Sequence, residues 1–268
     1  MKKLSILAIA FAAVAFAACG GKKSAQTTED ADSLKSFEQQ QIEASIKMHL
    51  DSISAEVAKL QHLPFLKESK DGGVTLTKEE KQVKPDYLLG AAAADEATTL
   101  AEKYRILSAL SVDKKIASLY EMPTEDYDKA IAKLVADIND PSFKTIEDSN
   151  TIFETAQALY DGMSENGRIN YFWQLASATL VEQLYVATQN TDKFLSVVND
   201  EAAANVTYRI VLVLDAINRL AQYDPEIKPV AEAIAPLDVL NATTVAELKS
   251  QLAEAKDKIE AARKAIIQ

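Results

Sequence analysis

Apolar side chains return every third or fourth position along most of this chain, and strand-type alternation is nearly absent. Ile46, Leu50, Ile53, Val57 and Leu60 step by four, three, four and three, which draws one stripe down a helix. The spacing predicts a first helix over 33–60, closed by Pro64. A second is expected over 95–120, with a new start at Ser111-Val112-Asp113 as an option. After Met122-Pro123 the chain turns, and Thr124 is the expected cap of a helix carrying Tyr127, Ile131, Leu134 and Ile138. Ile152, Phe153, Ala156, Leu159 and Tyr160 mark another, ended by Asp161-Gly162. The most aromatic helix follows over 168–187, then a short one over 191–198. Next comes 201–223, with Val206, Ile210, Val213, Ile217 and Leu220 in line. Pro225, Pro229 and Pro236 confine the next stretch to single turns. From Thr244 to the end Val245, Leu248, Leu252, Ala255, Ile259, Ala262 and Ile266 keep a seven-residue period.

The expected fold is therefore all-α, a multi-helix array or bundle of about eight to nine helices in a single domain over 33–268. Residues 61–94 form its one long connection, unusual in a compact helical body, so the loop is either mobile or covers something. Within it, Val74-Thr75-Leu76-Thr77 reads as draped loop rather than edge strand. The first and last helices carry long regular stripes and are expected to pair as antiparallel neighbours or to form an oligomer seam. Tyr104 to Tyr120 and Tyr171 to Tyr185 both open on Tyr and close on Leu-Tyr, and each precedes an acidic helix start. That weak likeness allows two related helical halves.

The start of the chain has a different pattern. Met1-Lys2-Lys3 is basic, Leu4 to Phe16 is apolar, and Ala17-Ala18 precedes Cys19, the layout of an export signal over 1–18. The apolar run is shorter than the roughly 20 residues that span a bilayer. Residues 20–32 lack large apolar side chains, so 19–32 read as a flexible tether. Cys19 is the chain's one cysteine, which leaves no internal disulfide to stabilise the body.

The formal charge is −11, which argues against binding nucleic acid or an anionic lipid surface. His49 and His62 are the only histidines, and no zinc-ligand spacing, calcium loop or phosphate-binding glycine loop is present. No cofactor and no metal are implied, and no Ser-His or Cys-His nucleophile pairing stands out. The expectation is a non-enzymatic protein.

Two acids fall on inward faces. Asp113 lies in line with Ile106, Leu110, Ala117 and Tyr120, and Glu182 with Tyr171, Leu175, Ala178 and Tyr185. A carboxyl group so placed must be paired, hydrogen-bonded or protonated. Arg105, Arg209, Tyr104 and Tyr185 are the expected partners by side-chain chemistry. Tyr104, Arg105, Asp113, Tyr120, Glu182, Tyr185 and Arg209 thus form either a buried network that fixes helix register or a polar pocket for a small ligand; the third alternative is that one or both acids are simply solvated. Asp113 and Glu182 together also suggest the two carboxylates of glycoside hydrolysis. Tyr and Trp173 rings allow a sugar platform, although such spacing more often means core.

Phe16-Ala17-Ala18-Cys19 resembles the lipobox of bacterial lipoproteins, with Phe16 in place of the usual leucine; the resemblance implies lipid on Cys19. Acyl chains there would anchor the chain. Lys103 to Tyr120 (KYRILSALSVDKKIASLY) and Thr179 to Thr188 (TLVEQLYVAT) resemble a helical lipoprotein group of the Bacteroidetes that has no established function. Ser108-Ala109 and Ser111 depart from that group's Gly and Tyr. What the resemblance implies is an outer-membrane lipoprotein, and Gly20-Gly21-Lys22-Lys23 in place of an acidic run favours the periplasmic face over the surface. Asp32-Ser33-Leu34 and Asp51-Ser52-Ile53 resemble the triplet at which that phylum glycosylates secreted proteins. The expected role is a membrane-anchored binding or scaffold module whose partner is an envelope protein or small molecule; the rival is a surface glycan-binding or carbohydrate-active protein using Asp113 and Glu182.

Overall fold

A computed structural model describes residues 44–60, 63–67, 69–145 and 156–267. The expected export signal, Cys19, the tether, the Asp32 triplet and Ile152-Phe153 lie outside them. Among the described residues every regular element is an α- or 3-10 helix. The α-helices are α1 (44–57), α2 (Lys78–Gln82), α3 (Ala93–Glu96), α4 (Leu100–Leu119), α5 (Glu125–Ile138), α6 (Ala156–Glu165), α7 (Ile169–Gln189), α8 (Thr191–Phe194), α9 (Asp200–Leu220), α10 (Lys228–Ile234), α11 (Val245–Glu254) and α12 (Lys256–Ile266). The fold is an all-α bundle, with more helices than expected. None is long and apolar enough to cross a membrane.

The bundle is organised by α4 and α7, which are buried on nearly every side. Helices with so few exposed positions need neighbours all round, and α5, α6, α9 and α12 supply them. α4 and α7 make the most extensive helix contact and run parallel. Tyr104 stacks on Tyr171 at one end, with ring centroids 5.1 Å apart and planes inclined by 10°. Farther along, Ser108 Oγ donates to the Leu175 carbonyl at 3.0 Å and bonds the Thr179 hydroxyl. The small residues that meet here, Ser108 and Thr179, let the two backbones approach. Beneath it, Phe172, Trp173 and Tyr160 pack edge to face, Tyr160 to Phe172 at 5.0 Å and Phe172 to Trp173 at 5.3 Å.

Several boundaries depart from the periodic reading. α4 runs unbroken through Ser111, whose hydroxyl folds back onto the Leu107 carbonyl at 2.7 Å; the break comes instead between α3 and α4. There Thr99 caps α4 in a reciprocal box, its Oγ1 accepting from Glu102 N at 3.1 Å while the Glu102 carboxylate accepts from Thr99 N at 2.9 Å. The Thr99 N–H, with the hydroxyl and N–H of Thr98, donates to the Glu102 carboxylate and holds it at about 2. Gly162 lies inside α6 rather than ending it. A Cβ there would meet Ser142 Oγ at 3.0 Å, so the glycine serves close approach of the 140–142 turn. The helix ends at Gly167 with φ of 68° and the Arg168 N–H on the Met163 carbonyl, a left-handed cap. Thr124 precedes α5 as expected but makes no side-chain capping bond. The last stripe bends at Ala255, which separates α11 from α12.

α1 buries Leu50 and Ile53, and its long-range polar contacts reach α6 and α9: Tyr160 Oη donates to Asp51 at 2.7 Å and His49 Nε2 meets Asp215 at 2.9 Å. α12 packs on α7 and α10.

Among its described residues the connection after α1 takes no strand. Val74 and Leu76 are buried, and Phe65 packs on Phe194 at 5.1 Å. Lys84 donates to the Tyr120 carbonyl, Lys81 pairs with Glu121 and Lys193 with Glu80. Irregular backbone between α2 and α3 is thereby strapped across the end of α4. Removing one cap tests how far local signals define these boundaries. Thr99→Ala is expected to lower stability by about 1 kcal/mol, read as a lower urea midpoint with unchanged slope.

Candidate functional site

Asp113 from α4 and Glu182 from α7 meet in the interior, each with no solvent exposure. Arg263 of α12 closes on them at 4 % exposure. Its Nε donates to Glu182 Oε2 at 2.7 Å and its Nη2 to Oε1 at 2.8 Å, a two-pronged ion pair. The same Nη2 stands 3.8 Å from Asp113 Oδ2. Asp113 Oδ2 also accepts the Leu89 N–H at 2.6 Å, and Tyr127 Oη donates to the Leu89 carbonyl at 2.9 Å. One residue of the strap is thus gripped from both sides by α4 and α5. Tyr185 lies under the guanidinium, 4.1 Å from ring centre to Cζ, a favourable cation–π placement. Tyr87 of the strap meets Tyr185 edge-on at 6.2 Å.

Burial governs the electrostatics. It pushes Asp113 well above the ordinary carboxylate range, and the Glu182 charge adds to the push against the opposing Leu89 N–H and Arg263. Burial also raises Glu182, although its bonds from Arg263 oppose the shift. For Arg263 burial acts downward, but the Glu182 bonds and charge outweigh it and leave the guanidinium held above its usual value. Burial, then the charges of Asp113 and Glu182, lifts the Tyr127 phenol to about 12.

The other residues singled out from sequence lie elsewhere. Tyr104, about 13 Å back along α4 at the helical rise, donates to Asp140 at 2.5 Å and accepts from Arg168 at 3.1 Å. Arg105 ties α4 to the end of α12 through the Ile266 carbonyl at 2.6 Å, and to α7 through Gln174. Arg209 donates to the Leu60 carbonyl at 2.7 Å, and burial lowers its guanidinium to about 10. Tyr120 ends α4 under the strap. Asp113, Glu182 and Tyr185 are therefore brought together, whereas Arg209 and the Tyr104–Arg105 end are separate.

The cation that completes the site, Arg263, was absent from the expected set. A signal for it exists: it stands four after Ile259 and three before Ile266, on the buried stripe.

Chemically the arrangement is a closed one. Carboxyl groups that act on a sugar stand across an open cleft some 5 to 9.5 Å apart, by the rough geometry of such enzymes. These two are sealed behind Leu89, Glu182 bonded through both oxygens to Arg263 and Asp113 through Oδ2 to Leu89. Among the described residues no group of three or more His, Cys, Asp or Glu is placed to hold a metal ion.

Arg263→Met should leave buried acid without its counter-charge. A loss of about 3–5 kcal/mol is expected, measured by urea denaturation at neutral pH, with the helical circular dichroism of the native baseline retained. In comparisons with known proteins, the chain matches no family model, no curated protein and no solved structure.

Proposed function

We propose that this chain is an outer-membrane lipoprotein whose helical body serves as a non-enzymatic binding or scaffold module on the periplasmic face. The observation that carries the reading is the cysteine itself: Cys19 follows a basic start, an apolar run and two alanines, which is where an exported chain receives its lipid. Two or more acyl chains on Cys19 would anchor it stably where one binds marginally, because each buried methylene contributes about 0.8 kcal/mol. The site supports the non-enzymatic part. Asp113 and Glu182 have no exposure and are bonded to Arg263 and Leu89, so a carbohydrate would reach them only after the strap and helices separate. Kinship with the helical lipoproteins of the Bacteroidetes belongs to the same proposal. So does descent from two helical halves, which the parallel pairing of α4 with α7 and the stack of Tyr104 on Tyr171 favour.

Growth with a labelled fatty acid provides the test. The wild-type chain should carry label and sediment with the outer membrane, and Cys19→Ser should lose both while the body stays folded. An unlabelled wild-type chain, or a Cys19→Ser chain still lipidated, would refute the anchor. Protease added to intact cells should spare the body, and cutting without lysis would move it to the cell surface.

A further inference from the structure

Between α4, α7 and α12 the ionic charges do not cancel if both acids are ionised, because one guanidinium faces two carboxylates. Arg263 is already spent on Glu182, with both of its short bonds on that carboxylate. Asp113 receives one hydrogen bond, from Leu89 N to Oδ2, and its Oδ1 has no hydrogen-bond donor although it is wholly buried.

The other groups facing Asp113 offer nothing more. The Tyr127 phenol from α5 has given its proton to the Leu89 carbonyl, and the Tyr87 phenol from the strap faces Tyr120 and makes no bond to Asp113. Tyr185 of α7 presents its ring to Arg263. Glu182 is the remaining neighbour, its carboxylate within hydrogen-bonding reach of Asp113. Two carboxyl groups in contact out of water do not both ionise when a proton can be shared between them.

We propose that Asp113 keeps its proton at neutral pH and donates it to Glu182, making the cluster electrically neutral, and that loss of this proton to solvent releases the strap that carries Leu89. As an acid, Asp113 supplies the donor that the Oδ1 position lacks, while Oδ2 goes on accepting from Leu89. The direction in which burial and Glu182 push Asp113 is the one this requires. Once the proton leaves, two negative charges face one positive charge without water, a state that costs several kcal/mol until the site hydrates. Among the elements around it, the irregular backbone between α2 and α3 yields most readily. α4, α7 and α12 are packed along their lengths, whereas the strap over Asp113 is held by Leu89, between Asp113 and Tyr127, and near its start by Lys84 on the Tyr120 carbonyl.

The sign of the pH effect follows. An acid raised by folding contributes stability that is fully present below the ordinary carboxylate range and is lost as pH climbs through its folded titration. The chain is therefore set to loosen on the alkaline side. Asp113→Asn reproduces the neutral state, with an amide N–H where the acid proton stood and an oxygen for Leu89.

The experiment compares the full chain with Asp113→Asn. At neutral pH the wild type should show the infrared carbonyl absorption of a protonated carboxyl group, and the variant should lack it. From about pH 4 upward, the wild-type unfolding constant should rise relative to the variant by up to about tenfold per pH unit until Asp113 ionises in the folded chain. Amide exchange at Leu89, corrected for its intrinsic base dependence, should accelerate with pH in the wild type and not in the variant. Absence of the protonated-carboxyl band in the wild type at neutral pH overturns the proposal, and so does a variant with the wild-type pH dependence. If the band is present and Leu89 exchange is indifferent to pH, the strap release is overturned. Should Asp113→Asn fail to fold, the wild-type band and its Leu89 exchange profile still decide both parts.

Discussion

The cost of placing ionisable groups out of water constrains this fold more tightly than any other single factor. Apolar stripes bring helices together, but many rotations and slides of two oily faces bury similar area. A carboxyl group that must meet one guanidinium and one backbone N–H tolerates far fewer. Glu182 is held at two points by Arg263, and Asp113 is held by Leu89. One cluster therefore fixes α7 against α12 and α4 against the strap, and through Tyr127 it reaches α5. A second, independent set does the same at the other end of α4, where Tyr104, Asp140, Arg168 and the stacked Tyr171 meet. The central helices are thus pinned near both ends, with small residues closing the seam between.

Much of this was legible from period alone. Leu50 and Ile53, the Tyr127 to Ile138 stripe, the Val206 to Leu220 stripe and the Leu248 to Ile266 stripe are all interior, because a helix needs only its own sequence to say which face is oily. The same reasoning turned Asp113 and Glu182 inward. Their partner was harder to see. α12 holds Lys256, Asp257, Lys258, Glu260, Arg263 and Lys264 in close succession, and in so charged a helix only the exact rotation distinguishes the cation that enters from those that stay wet. The chosen partners, Arg105 and Arg209, instead satisfy carbonyls at the Ile266 and Leu60 ends of other segments.

The remaining departures have separate causes. Gly162 looked like a helix stop because glycine is a poor helix former, yet its small size answers to Ser142, a contact between segments that no local window contains. The break before α4 was different: Thr99 and Glu102 display a capping box in sequence, a local signal that a single helix over 95–120 leaves unused. For 61–94 the sequence offered mobility or cover as alternatives. Covering a buried acid is a long-range relation, visible only once Leu89 is seen on Asp113 and Phe65 on Phe194. A loop with so little regular structure is ordered here by what lies beneath it.

If the cluster is what holds the central helices in register, the penalty for losing its cation should vanish when the acids go too. The most direct measurement is the stability of Arg263→Met with Glu182→Leu and Asp113→Leu introduced alongside it, compared with Arg263→Met alone. Recovery of most of the lost stability in the combined chain, as apolar groups replace a buried ionic set, is the predicted result. Penalties that simply add, with no recovery, would contradict the account.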